Sequence, residues 1–120
     1  MSGAPPPVGP YRPVVRAGDF LVCSGQLGLA SGALVEGGVG PELRQAVANL
    51  SALLESEGAA LSDVVKTTVF LTDIGDYAAM NAVYVECFTG ERPARSAVAV
   101  AGLPLGATVE LEAWALVRPA

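Results

Sequence analysis

At 120 residues the chain fits one domain, residues 1–120, and a lone domain of that size buries only about two-thirds of its unfolded-chain surface. Yet 52% of the residues are hydrophobic and only 16% are charged, more apolar material than one small core needs, so part of it is expected to cover a subunit interface. The net charge of −5, from 7 basic and 12 acidic residues, disfavours phosphate backbones and anionic membranes, so neither a nucleic-acid nor a membrane partner is expected. Lys66 is the only lysine, and the arginines are scattered. No histidine is present, which excludes a Ser-His-Asp triad, a Cys-His dyad and His-ligated zinc; no CxxC pair or phosphate-binding GxxxxGK[ST] loop occurs either. Cys23 and Cys87 are too few for a disulfide framework and read as two buried thiols in a reducing compartment. The Pro/Gly-rich start lacks the pattern of a signal peptide, and no apolar run approaches the ~20 residues of a membrane span. A cytoplasmic protein is expected.

Residues 1–12 read as an extended arm. Pro13–Arg16, the turn Ala17-Gly18-Asp19 and Phe20–Gln26 read as a hairpin. Gly28–Gly40 carries five glycines and reads as a loop. Gly40-Pro41 opens a helix in which Leu43, Ala46, Val47, Leu50, Leu53 and Leu54 recur at helical spacing, and Gly58 is placed to end it. The β-branched run Val64–Leu71 predicts a strand. Strict alternation along it sets Val64, Thr68 and Phe70 on one side and Val65, Val69 and Leu71 on the other. Asp76 is placed to cap a second helix with a stripe of Met80, Val83, Tyr84, Cys87 and Phe88. Arg95–Ala101 and Thr108–Val117 read as two further strands. The order β-β-α-β-α-β-β predicts an α+β fold, one sheet with both helices on one face. Both sheet faces read as apolar, so an oligomer is expected to cover the second.

Arg95 stands in Pro93-Ala94-Arg95-Ser96, with Ala97 and Ala99 on the same side of its strand. Small neighbours leave space beside a cation suited to bidentate capture of a carboxylate; an ordinary surface ion pair is the alternative. Glu110 and Glu112 share a strand face with Trp114 and Leu116. An apolar surround raises a carboxyl pKa toward the range useful for proton transfer, although an ion pair across an interface, with Arg95 or Arg118, explains the same pattern. Tyr11, after Gly9-Pro10, either lines a pocket or simply packs. Gly25, between Ser24 and Gln26, permits close approach of a ligand or another chain, or marks a bulge. Asp73 and Asp76 are read as a helix cap, not a metal site, and no metal is expected. A Schiff-base role for Lys66 is disfavoured.

Tyr11 in Gly9-Pro10-Tyr11, Ser24-Gly25-Gln26, Arg44–Leu50, Val64–Asp73, Asn81–Phe88, Pro93–Val100 and Val109–Ala115 follow the order and spacing of the Rid family (reactive intermediate deaminase, YjgF/RidA), which the chain resembles from about residue 8 to residue 117. The resemblance implies a chorismate-mutase-like α+β fold. It implies a homotrimer whose sheets form an inner barrel with sites in the clefts between subunits. It also implies a cofactor-free hydrolysis of 2-enamino and 2-imino acids to 2-oxo acids and ammonia. By the same resemblance Arg95 holds the substrate carboxylate, Glu110 positions water and shuttles a proton, and Tyr11, Ser24 and Gly25 line the pocket. Ala97 stands where many relatives carry Cys; its backbone amide remains able to assist with the carboxylate. Arg12-Pro13 and Leu27-Gly28 also depart from the usual pattern, at positions expected near the cleft mouth. The rival readings are a non-catalytic 2-oxo acid-binding regulatory trimer, a ribonuclease or translation inhibitor, which the charge of −5 argues against, and a chaperone-like surface.

Overall fold

The computed structural model describes residues 4–117; Met1–Gly3 of the expected arm and Arg118, considered above as an ion-pair partner, lie outside them. The first hairpin joins β1 (Val14–Ala17) to β2 (Phe20–Gln26), with Ala17 paired to Phe20. The turn is therefore two residues, Gly18-Asp19. Gly18 takes a φ of 59°, the left-handed conformation such a tight turn requires and glycine adopts without strain. The glycine-rich loop is not wholly irregular, because Leu29–Ala30 (β3) and Ala33–Leu34 (β4) form a small separate hairpin.

Helix α1 (Val39–Ser56) starts two residues before Pro41, which sits in its first turn. It ends in a Schellman motif: Gly58 N–H donates to Glu55 O at 3.1 Å and Ala59 N–H to Leu54 O at 2.9 Å, with Gly58 at a φ of 80°. Strand β5 (Val64–Leu71) leads to α2 (Tyr77–Cys87), followed by β6 (Ala94–Ala99) and β7 (Val109–Leu116). Asp76 occupies the cap position of α2 without a side-chain cap bond; the carboxylate that acts there is that of Asp73, which accepts from Gly75 N–H at 2.8 Å and shapes the turn.

The main sheet runs β1-β2-β7-β5-β6, with β5 and β6 parallel and the other pairs antiparallel. Both helices pack on one face. There Leu43, Leu50 and Leu54 of α1 and Met80 of α2 meet Val69 and Leu111 of the sheet in one core. This is the expected α+β fold. The side assignment on β5 is corrected: the pairing with β7 slips between Val64 and Lys66, so Val65 bulges out. Val64 therefore joins Thr67, Val69 and Leu71 in the buried set, while Lys66, Thr68 and Phe70 face the other way. A bulge adds one residue, which reverses the alternation on one side of it.

The second sheet face carries an apolar patch that is uncovered in the single chain. Phe20 and Trp114 meet edge to face with centroids 5.8 Å apart, and Trp114 stays 44% exposed, with Val15 and Val98 also exposed. Among the described residues no helix is long and apolar enough to cross a membrane.

Candidate functional site

Two groups of candidate residues form, one on each face of the sheet. The first surrounds Glu110. Between Cys23, paired with Ala113, and Gln26, paired with Leu111, β2 carries two residues where β7 has only Glu112. Ser24 and Gly25 thus form a bulge beside Glu110. The carboxylate of Glu110 lies against Gly25 so closely that a Cβ there would stand 2.5 Å from Oε2 and 2.6 Å from Cδ. Only glycine permits this approach. Ser24 ties down the N-terminal arm: its Oγ donates to Arg12 O at 2.7 Å and its N–H to Pro13 O at 2.9 Å. Tyr11 N–H closes a tight turn onto Gly9 O at 2.9 Å, and its ring lines a cleft with Pro13, Gly25, Gln26 and Leu27. Burial raises the pKa of Glu110, and the neighbouring negative charge of Glu112 raises it further.

The second group surrounds Arg95 on the edge strand β6. Arg95 pairs with Thr67 and, across β5, lines up with Ala113, which puts its side chain on the helix face. Ala97 is half-buried on the same face of β6. The space expected beside Arg95 is partly filled by α2. Nη1 donates to Asn81 Oδ1 at 2.7 Å and to Met80 Sδ at 3.6 Å, and Nη2 donates to Tyr77 OH at 3.0 Å. The guanidinium carbon lies 4.8 Å from the ring centroid of Tyr84 and 5.5 Å from that of Tyr77, within cation–π range. Every one of these partners is neutral. The ion pair present among the described residues is Arg44–Glu86, at 2.5 Å on the surface, so the charge of Arg95 has no carboxylate against it. Of its five N–H groups, Nε–H and one on Nη2 find no partner among the described residues, enough for a two-point grip on an incoming carboxylate.

Glu110 pairs with Phe70, which in turn pairs with Val98, and all three face away from the helices. Within one chain, then, the sheet separates Arg95 from Glu110. The structure brings Gly25 and Glu110 together, sets Tyr11 and Ser24 beside them, and leaves Arg95 with Ala97 on the other face. Pro13 and Leu27 line the cleft beside Tyr11, as does Leu29; Gly28 between Leu27 and Leu29 is buried behind it, and a Cβ on it would stand 2.6 Å from the backbone Cα and O of Glu42. The loop after Gly25 is pinned by Asn49 of α1, whose Nδ2 donates to Leu27 O at 3.1 Å and Leu29 O at 3.0 Å. Glu42 Oε1 accepts from Thr108 N–H at 2.9 Å, next to the start of β7. Sequence reasoning passed over Asn49, Tyr77 and Asn81. The available signal was a polar residue inside an apolar helical stripe: Tyr77, Met80, Asn81 and Tyr84 fall at i, i+3, i+4 and i+7.

A mixed five-stranded sheet carrying two helices on one face, with this strand order, defines a fold seen in known structures. The YjgF gene product from E. coli superposes with a TM-score of 0.92 at 38% identity, covering 98% of this chain and 96% of the other. RidA from a Psychrobacter species does so with a TM-score of 0.92 at 40% identity, covering 95% and 94%. The family model for Endoribonuclease L-PSP matches residues 1–117. A RutC family protein of Pyrococcus horikoshii is 44% identical over 116 residues, 95% of this chain and 92% of that one. A Capra hircus protein named 2-iminobutanoate/2-iminopropanoate deaminase is 46% identical over 118 residues, 97% and 86%. The chain belongs to the Rid (YjgF, Endoribonuclease L-PSP) family.

Proposed function

We propose that this protein hydrolyses 2-imino acids, formed from 2-enamino acids such as 2-aminoacrylate, to 2-oxo acids and ammonia. The observation that carries the reading is the un-neutralised guanidinium of Arg95, fixed by Asn81, Tyr77 and Tyr84 with two N–H groups to spare. A half-buried cation on an edge strand, held only by neutral groups, is suited to receive a small carboxylate. Relatives of mammalian origin named 2-iminobutanoate/2-iminopropanoate deaminase, 42–46% identical, point to the same substrate class.

The active unit in this reading is an oligomer, a homotrimer as in the family resemblance. The apolar sheet face around Phe20 and Trp114 is the surface that copies bury against one another, and Arg95 of one protomer faces Glu110 of a neighbour across their boundary. Arg95 holds the substrate carboxylate, with the backbone at Ala97 beside it. Glu110, over Gly25, holds a water against the C=N carbon; Tyr11 and Ser24 belong to the wall on that side. Water adds to the imine carbon, and one of its protons passes by way of Glu110 to nitrogen to give the carbinolamine; the hydroxyl proton then follows by the same relay to the amino group, the C–N bond breaks, and ammonia leaves the 2-oxo acid. An imine is already electrophilic, so orientation and one proton relay suffice; such a relay contributes typically ~10²–10⁴-fold.

The test is ammonia release from 2-iminopropanoate generated in place by an amino-acid oxidase or dehydratase. Arg95→Ala is expected to lose at least about a hundredfold in kcat/KM, the loss expected when a positioned carboxylate grip is removed. Full activity in that variant would refute the assignment. Binding of 2-oxobutanoate without ammonia release by the native protein would replace the enzyme with a regulatory binding protein.

A further inference from the structure

We infer that the buried pair Thr67–Tyr84 is a positioning device for Arg95, holding an aromatic face at a fixed depth beneath its guanidinium; what the device does for a substrate rests on the function proposed above. Thr67 is fully buried on β5, on the core face it shares with Val69 and Leu71. Its Oγ1 and the hydroxyl of Tyr84, itself 3% exposed, share a hydrogen bond of 2.7 Å. At both positions an apolar residue of the same shape, Val or Phe, would fill the core without a polar atom to satisfy. A hydroxyl there is costly unless bonded. These two satisfy each other. The joint result is a ring clamped between its bond to β5 and its contact with Phe88, at 4.7 Å between centroids, with the Arg95 guanidinium carbon 4.8 Å from its centre.

The register closes the arrangement. Thr67 is the backbone partner of Arg95 across the β5–β6 ladder, so one residue position fixes both the strand that carries the arginine and the ring under it. Asn81 and Tyr77 then set the in-plane orientation from the same helix that carries Tyr84. Of these groups the Thr67–Tyr84 bond alone is sealed from solvent, so it is the anchor that fluctuations of the exposed helix start at Tyr77 do not loosen.

The experiment uses two shape-conserving variants, Tyr84→Phe and Thr67→Val, and their double. ¹⁵N relaxation at Arg95 Nε in the ligand-free protein reads the order of the guanidinium directly. It should fall in both single variants while backbone amides of β5 and α2 keep wild-type values. The Kd for 2-oxobutanoate should rise about fivefold in each, the worth of one modest hydrogen bond, and the double variant should be no worse than either single. Wild-type order at Nε in both variants, with only a lower melting temperature, overturns the proposal, as do additive losses in the double. Absence of ammonia release from 2-iminopropanoate by the native protein, with Nε order still lost in the variants, would refute the function and leave the positioning role standing.

Discussion

Glu110 and Arg95 receive opposite treatment from their surroundings. Glu110 is partly desolvated with another carboxylate near it, which raises its pKa. Arg95 is surrounded by polarisable neutral groups that leave its charge available. For Glu110 the sign of the pH effect follows. Between the ordinary carboxyl pKa and the raised one the native state holds more protons than the unfolded state, so stability falls as pH rises through that window. Activity that needs the carboxylate form falls as pH drops through the raised pKa. Glu112→Gln removes the nearby negative charge, so the acid limb of a kcat/KM profile should move to lower pH in that variant; an unmoved limb would detach the limb from Glu110. Cys23 behaves as an inert core group: burial, then the charge of Glu57, pushes its thiol to about 11, leaving little thiolate near neutrality. Arg95 and Glu110 stood out in the sequence because a charged residue within an apolar strand is itself anomalous, but that pattern left an ion pair open for each, and the roles proposed for them come from the family resemblance. Asn81 and Tyr77 did not stand out, since their role arises only from the way α2 lies over β6.

Elements were read well where the pattern was long, and misread where one residue changed the count. The α1 stripe and its Gly58 terminus stand as read. The sides of β5 do not, because the bulge at Val65 has no signature in a run of β-branched residues. The loop Gly28–Gly40 shows the other limit. Its glycines signalled irregular chain, but the reason for Gly28 is a contact with the backbone of Glu42 on α1, distant in sequence. That contact predicts the cost of change. Gly28→Ala places a methyl where only backbone could yield, and should destabilise the fold by roughly 1–3 kcal/mol, as overpacking does. Urea unfolding measures it; a loss within ±0.5 kcal/mol, the range of neutral surface changes, would show that the loop shifts freely and that Asn49 does not pin it.

At the scale of the molecule, composition carried information that no single element did. An apolar fraction of 52% exceeds what the core between sheet and helices takes up, and part of the remainder lies on the second sheet face, with Trp114 44% exposed. Which copy meets which face is not written in one chain's periodicity. The separation of Arg95 from Glu110 by the sheet makes the consequence sharp, because a site using both must draw on two protomers. Two variants expected to be inactive, Arg95→Ala and Glu110→Gln, therefore provide the most direct test when unfolded together and reassembled at equal amounts. If each site takes its arginine from one copy and its glutamate from the next, random assembly leaves about a quarter of the sites intact. Ammonia release from 2-iminopropanoate should return to about a quarter of the wild-type rate. Mixtures as inactive as the separate variants, despite proven exchange of subunits, would contradict the shared site.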